Sequence, residues 1–120
     1  MTRGPALTIK RVREAPAPGD GTRVLVDRIW PRGMTKDRAA ADHWLKEIAP
    51  STALRRWFGH DPKKWDEFRR RYRAELEERA DAVETLRNLA AKRRVTLLFG
   101  AKDETHNQAV ALKAFIEGQG

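Results

Sequence analysis

The chain has 120 residues, no cysteine, 40% hydrophobic and 35% charged residues, and a net charge of +8. That is the size of one domain over residues 1–120. The missing cysteine excludes disulfides, thiolate catalysis and zinc–thiolate sites, and no apolar run approaches the roughly 20 residues of a bilayer-spanning helix. Residues 1–10 carry no apolar secretory core, so no membrane partner and a cytoplasmic setting are expected.

The charge is uneven. Residues 1–60 hold 12 Lys/Arg against 6 Asp/Glu, and residues 61–120 hold 13 against 11. A surplus of this sign suits anionic partners such as phosphates, nucleotides or nucleic acid; a solvated basic surface produces the same balance.

Leu7, Ile9 and Val12 alternate with polar residues over 7–12, which predicts a first strand. Residues 14–21 hold Pro16, Pro18, Gly19 and Gly21 and form a loop. Thr22 to Val26 makes a second strand. Thr35 or Asp37 caps a short helix through Ala41, whereas residues 44–48 fit either a third strand or the end of that helix. Ser51 is a good N-cap for a helix carrying Leu54, Trp57 and Phe58 on one face. Asp61 and Pro62 suit the cap and first positions of the next helix, whose apolar stripe is Trp65, Phe68, Tyr72 and Leu76. A further helix over 80–91 turns Val83, Leu86 and Leu89 inward, and Trp44 and Trp57 are expected in or just under the core. Residues 95–99 are the most convincing buried strand, and a last helix runs from Thr105 or His106 to Glu117. This order predicts an α/β fold: a small, mainly parallel sheet flanked by helices.

The second strand ends in Asp27-Arg28-Ile29-Trp30-Pro31-Arg32-Gly33. Pro31 stops the ladder and biases Trp30 toward extended geometry, and Gly33 permits a turn. Strand physics does not ask for an acid, two arginines and a tryptophan there. α/β folds place ligands beyond the carboxyl ends of their strands, so the turn is a candidate site. Asp27 either pairs structurally with an arginine or aims one at a phosphate. Trp30 either stacks on a base or plugs the turn, its indole N–H on a carbonyl.

The last strand exits through Gly100-Ala101-Lys102-Asp103-Glu104-Thr105-His106-Asn107. Strand, glycine, polar turn and helix is the layout of an anion site, with free N–H groups and a mobile Lys102. It is neither a Walker loop nor GxGxxG. The plainer alternative is that Gly100 turns the chain, Asp103 or Thr105 caps the helix and Asn107 tethers the loop. None of His43, His60 and His106 stands at a spacing that marks a metal, and no metal or cofactor is expected. His60 is either a loop residue or an acid/base group.

The string from Asp20 to Gly33, continued by Lys36, Trp44, Pro50-Ser51, Leu54-Arg55, Trp57-Phe58, His60, Trp65, Phe68 and Tyr72, and closed by Gly100-Ala101-Lys102-Asp103 and Asn107, resembles the YeaO-like family of small bacterial domains. The resemblance covers nearly the whole chain. It implies a compact α/β domain and brings no settled activity and no catalytic roles.

Two functions from different classes fit these residues. In a binding module, Arg28, Trp30, Arg32, Lys36, Arg55, Gly100, Lys102 and Asn107 surround a phosphate-bearing small molecule or nucleic acid. In a small hydrolase or transferase acting on such a ligand, Asp27, His60 and Asp103 supply the acid/base groups. A structural or interaction protein without a small-molecule site is the third possibility. Oligomeric state is left open. The first two require the early turn and the opening of the last helix to share one cleft.

Overall fold

The computed structural model describes residues 7–118; of the opening segment read for a leader, residues 1–6 lie outside the described part. Four strands form one sheet: β1 (Leu7–Arg11), β2 (Thr22–Leu25), β3 (His43–Trp44) and β4 (Val95–Phe99). Their order is β1-β4-β2-β3, and every pairing is parallel. All five residues of β4 are buried, as a largely apolar strand between two parallel neighbours should be, and its one polar member, Thr96, donates to Asp20 O at 2.7 Å. Leu7 pairs with Val95 and Arg11 with Phe99 on one side; Thr22 pairs with Val95 and Leu25 with Leu98 on the other. The undecided stretch 44–48 resolves into the two-residue β3 and a tight helical turn, Lys46–Ile48.

Among the described residues five α-helices accompany the sheet: α1 (Lys36–Ala39), α2 (Thr52–Phe58), α3 (Trp65–Glu77), α4 (Ala80–Lys92) and α5 (Gln108–Ile116). The expected capping chemistry holds at α1, where Thr35 accepts from the Arg38 N–H at 3.1 Å, at α2, and at the short turn Pro62–Lys64 that leads into α3. The Ser51 side chain accepts from the Leu54 N–H at 3.1 Å, and Asp61 accepts from Lys63 N–H at 3.0 Å just before α3. Along α3 the inward stripe is Phe68, Tyr72 and Leu76, while Trp65 is half-buried. The last helix begins two to three residues later than expected. Asn107 is its cap, accepting from Val110 N–H at 3.1 Å, because Asp103 spends its carboxylate on a separate turn upstream. None of the helices among the described residues is long and apolar enough to cross a membrane.

The two faces of the sheet are covered differently. Leu7, Val24, Val26, Val95, Leu97 and Phe99 point into the main core, which α2 to α5 close. Leu25, Leu98 and Val12 point the other way, under a smaller lid of Met34 and Ala39 with Trp30 against it. That lid is the long loop after β2 together with the one-turn α1. It is also tied by Arg23, 4% exposed, which meets Asp20 at 2.5 Å and donates to the Ala39 carbonyl at 2.7 Å. Burial alone would raise the Asp20 carboxyl; hydrogen bonds from Lys10, the Ala17 N–H and Arg23 outweigh it and hold the group below its ordinary value. Trp44, expected with the core, is 39% exposed. It stands on a two-residue edge strand, where its indole N–H donates to the Asp27 carbonyl at 2.7 Å and its ring meets Trp30 edge-on at 5.4 Å.

Candidate functional site

Beyond the carboxyl ends of β1, β2 and β4 the chain leaves a cavity of about 290 Å³. Its walls come from the β2 exit loop, the turn after β4, the first residues of α5 and the facing side of α2 and α3. That volume is close to the lower end of ordinary small-ligand pockets. The early turn and the opening of the last helix therefore share one hollow.

Asp27 lies on its inner side, half-buried. Its Oδ2 accepts from the Gly100 N–H at 2.9 Å, and its Oδ1 accepts a short hydrogen bond from the Gln108 amide. Burial pushes the carboxyl from its ordinary 3.8 up to about 6, against the pull of those hydrogen bonds and of the Arg55 charge. Gly100 has a specific reason to be glycine here. A Cβ at that position would meet Asp27 Oδ2 at 2.7 Å and Pro31 at 3.7 Å. The carboxylate occupies the space where a side chain would be.

Arg28 lines the cavity, yet its guanidinium is committed: Nε donates to Pro50 O at 2.9 Å and Nη2 to Ala49 O at 3.0 Å. The same connector is held from its other side, where Tyr72 donates to Ile48 O at 2.6 Å and Glu75 receives the Ser51 N–H at 2.8 Å. Arg28 thus locks the approach to α2 with bonds worth roughly 1.5–3 kcal/mol each when a charged group is involved. Trp30 also reaches the cavity, and its indole N–H donates to Met34 O at 2.7 Å, the geometry of a plug. Arg32 and Arg55 line the hollow from exposed positions. Neither side chain makes a hydrogen bond or ion pair among the described residues, and Arg55 acts on Asp27 through space. Lys36 opens α1 as an exposed residue away from the cavity wall.

At the β4 exit the residues divide. Gly100, Asn107 and His106 line the cavity, whereas exposed Lys102 does not. Asp103 stands behind the wall. Its Oδ1 accepts from the backbone N–H groups of Thr105 and His106 at 2.9 Å each, and its Oδ2 lies 3.0 Å from His106 Nδ1. Those backbone hydrogen bonds hold its carboxyl well below the usual carboxylate range, so Asp103 stays ionised and has no proton to donate near neutrality. Asn107 is engaged on both sides of its amide, as cap for α5 and as donor to Asp103 O at 2.8 Å. His60 lines the cavity with a backbone φ of 58°, its ring 6.5 Å from Phe58. Among the described residues no group of three or more metal-ligating side chains converges.

Four participants escape sequence reasoning: Arg13, Gln108, His106 and the ring pair Phe58–Phe68. Arg13 follows β1 and donates to Arg32 O at 2.7 Å, bracing the loop. Phe58 and Phe68 stack at 4.3 Å and form a buried apolar wall. His106 is oriented by Asp103 on one side and by the edge-on ring of Trp65 at 5.4 Å on the other. Only His106 has a local signal, the Asp103-x-x-His106 spacing. The others arrive from 14 to 81 positions away from Asp27, and no local pattern announces them.

The fold and site define an α/β domain with a ligand-sized hollow at the carboxyl ends of parallel strands. The chain belongs to the YeaO-like family: the family described as "Inactive DUF488-N3 subclade" matches residues 6–119. It is 44% identical to the uncharacterized protein YeaO of Escherichia coli K12 over 103 residues, 86% of this chain and 90% of that protein. It is 40% identical over 119 residues to the uncharacterized protein Rv3073c of Mycobacterium tuberculosis H37Rv, covering 99% of this chain and all of that one. No solved structure matches significantly.

Proposed function

We propose that the protein is a binding module for a phosphate-bearing ligand, a nucleotide or the end of a nucleic acid, seated in this cavity. The observation that carries the reading is the state of its cations. Arg32 and Arg55 reach the cavity from exposed positions with no hydrogen-bond acceptor among the described residues, while Arg28 beside them spends two donors on the Pro50 and Ala49 carbonyls. A guanidinium left unpaired at the mouth of a hollow is free to take an anionic group bidentately. The cytoplasm supplies such ligands, which suits the expected setting.

Binding without turnover is favoured over hydrolase or transferase chemistry by the description of the family as inactive. The enzyme alternative keeps one observation of its own: Asp27, raised to about 6, and His60 line the same cavity. Thermal-shift measurements against pyrophosphate, nucleoside monophosphates and short oligonucleotides test the reading. The expected result is stabilisation by at least one of them that Arg32→Ala and Arg55→Ala each remove, with the melting of the unliganded protein unchanged. Absence of any shift at millimolar ligand, or a shift indifferent to both substitutions, overturns it. Product formation during incubation moves the assignment to the enzyme.

A further inference from the structure

The inner end of the cavity carries information that the cations at its mouth do not. An ionised carboxylate offers about four lone-pair positions, two on each oxygen. At Asp27 the protein uses one on each: Gly100 N–H takes Oδ2 and the Gln108 amide takes Oδ1. One acceptor position per oxygen is left on a residue that lines the hollow. Gln108 adds to the same pattern. Only its NH₂ can face a carboxylate, so its Oε1 is a further acceptor. The buried Phe58 and Phe68 rings form an apolar wall of the same hollow, suited to a flat group. Depth is ordered as well: Asp27 and Gln108 are half-buried, and Arg32 and Arg55 are exposed.

We infer that the cavity selects a guanine nucleotide, its base turned inward with two adjacent N–H donors on the Asp27 carboxylate and its phosphate turned outward to Arg32 and Arg55. The inference rests on the proposed phosphate-binding reading and names the ligand class of the same site. Guanine presents N1–H and the 2-amino group as neighbouring donors, which match two parallel acceptors. Adenine presents a donor beside an acceptor at the equivalent edge and sets a lone pair against the carboxylate. A site built from buried acceptors rejects the base that leaves one of them unpaired. A good bidentate pair discriminates by about 1–3 kcal/mol, which is about 5- to 150-fold in affinity.

Calorimetric titration with GMP, AMP and ribose 5-phosphate separates this inference from the reading beneath it. The expected result is GMP binding at least about fivefold tighter than AMP, with ribose 5-phosphate weaker than GMP. Asp27→Asn replaces two acceptors by one acceptor and one donor. It should erase the GMP preference and bring AMP level or ahead, while ribose 5-phosphate binding stays as in the wild type. Arg32→Ala should weaken all three ligands together. Equal affinity for GMP and AMP, with Arg32-dependent binding of ribose 5-phosphate, overturns the base assignment and leaves the phosphate site standing. Failure of all three ligands to bind overturns both. A 5′-phosphorylated dinucleotide opening with guanine, set beside GMP, distinguishes a strand end from a free nucleotide by which of the two binds tighter; binding of neither counts against the inference. Circular dichroism and the melting temperature of Asp27→Asn show that it folds, and a Gln108→Leu variant, which keeps the Asp27 carboxyl but removes the amide that orients its Oδ1, should also narrow the GMP–AMP gap.

Discussion

Replacing Asp27 by Asn should make the unliganded protein more stable relative to wild type as the pH rises. In the folded state the carboxyl titrates at about 6 rather than at its ordinary 3.8. A carboxyl with a raised folded pKa holds its proton more tightly in the native state than in the unfolded one. Its favourable contribution is present at low pH and is lost as the pH climbs from about 4 through about 6. Above that window the protein bears the full cost of burying an ionised group. At 1.36 kcal/mol per pH unit the separation of the two values corresponds to about 3 kcal/mol, of which about 2 kcal/mol develops between pH 4 and pH 8. Asparagine does not titrate in this range. It keeps an acceptor for the Gly100 N–H, and with the Gln108 amide turned over it donates where Asp27 accepted. Urea unfolding of both proteins at pH 4, 6 and 8 and fixed ionic strength measures the gap directly, with slopes compared to confirm the same unfolded state. The wild type should lose about 2 kcal/mol relative to the variant from the lowest pH to the highest. A gap independent of pH, or one that moves in favour of the wild type at pH 8, refutes burial as the dominant influence on this carboxyl.

Gly100→Ala should expel the Asp27 carboxylate, since the new methyl carbon falls 2.7 Å from Oδ2; a loss of roughly 1–3 kcal/mol in chemical unfolding is expected, together with loss of ligand-induced stabilisation. Arg28→Ala removes the donors to Ala49 O and Pro50 O and should cost roughly 2–4 kcal/mol, readable as a lowered melting temperature without any ligand; a neutral effect would return Arg28 to the list of free cations. Trp30→Phe keeps the ring but loses the bond to Met34 O, and should cost roughly 1–2 kcal/mol in urea unfolding. Binding of an oligonucleotide, if observed, should weaken steeply between 50 and 200 mM salt, and salt-insensitive binding counts against contact with its phosphates.

What local chemistry decides was legible in the chain. β4 announces itself as a run of Val, Leu and Phe broken by a single threonine, and Ser51 and Asp61 act as caps because an N-cap acts within three residues of its own position. What remained hidden depends on distance in sequence. Arg28 looks like a ligand-binding arginine in the string Asp-Arg-x-Trp-Pro-Arg, and nothing in that string reveals carbonyls waiting 21 and 22 positions later. Gln108 is an ordinary first residue of a helix until β2 and β4 are set side by side and its amide meets Asp27, 81 positions away. Asp103 differs in that its partners are local. Its acidity suggested proton transfer, while two backbone N–H groups in its own turn fix it as a permanent anion that orients His106.

The smaller core has a further consequence. Leu25, Leu98 and Val12 are roofed by the segment that bears Trp30 and Arg32, so residues that line the hollow and residues that shield one face of the sheet belong to one stretch of backbone. α4, which contributes no wall to the hollow, could be exchanged for another helix and leave it intact; this roof cannot. Any change that loosens it wets Leu25 and Leu98 and reshapes the hollow together. Variation among related chains should therefore collect elsewhere, on the outer faces of α3 and α4, where an altered side chain disturbs neither.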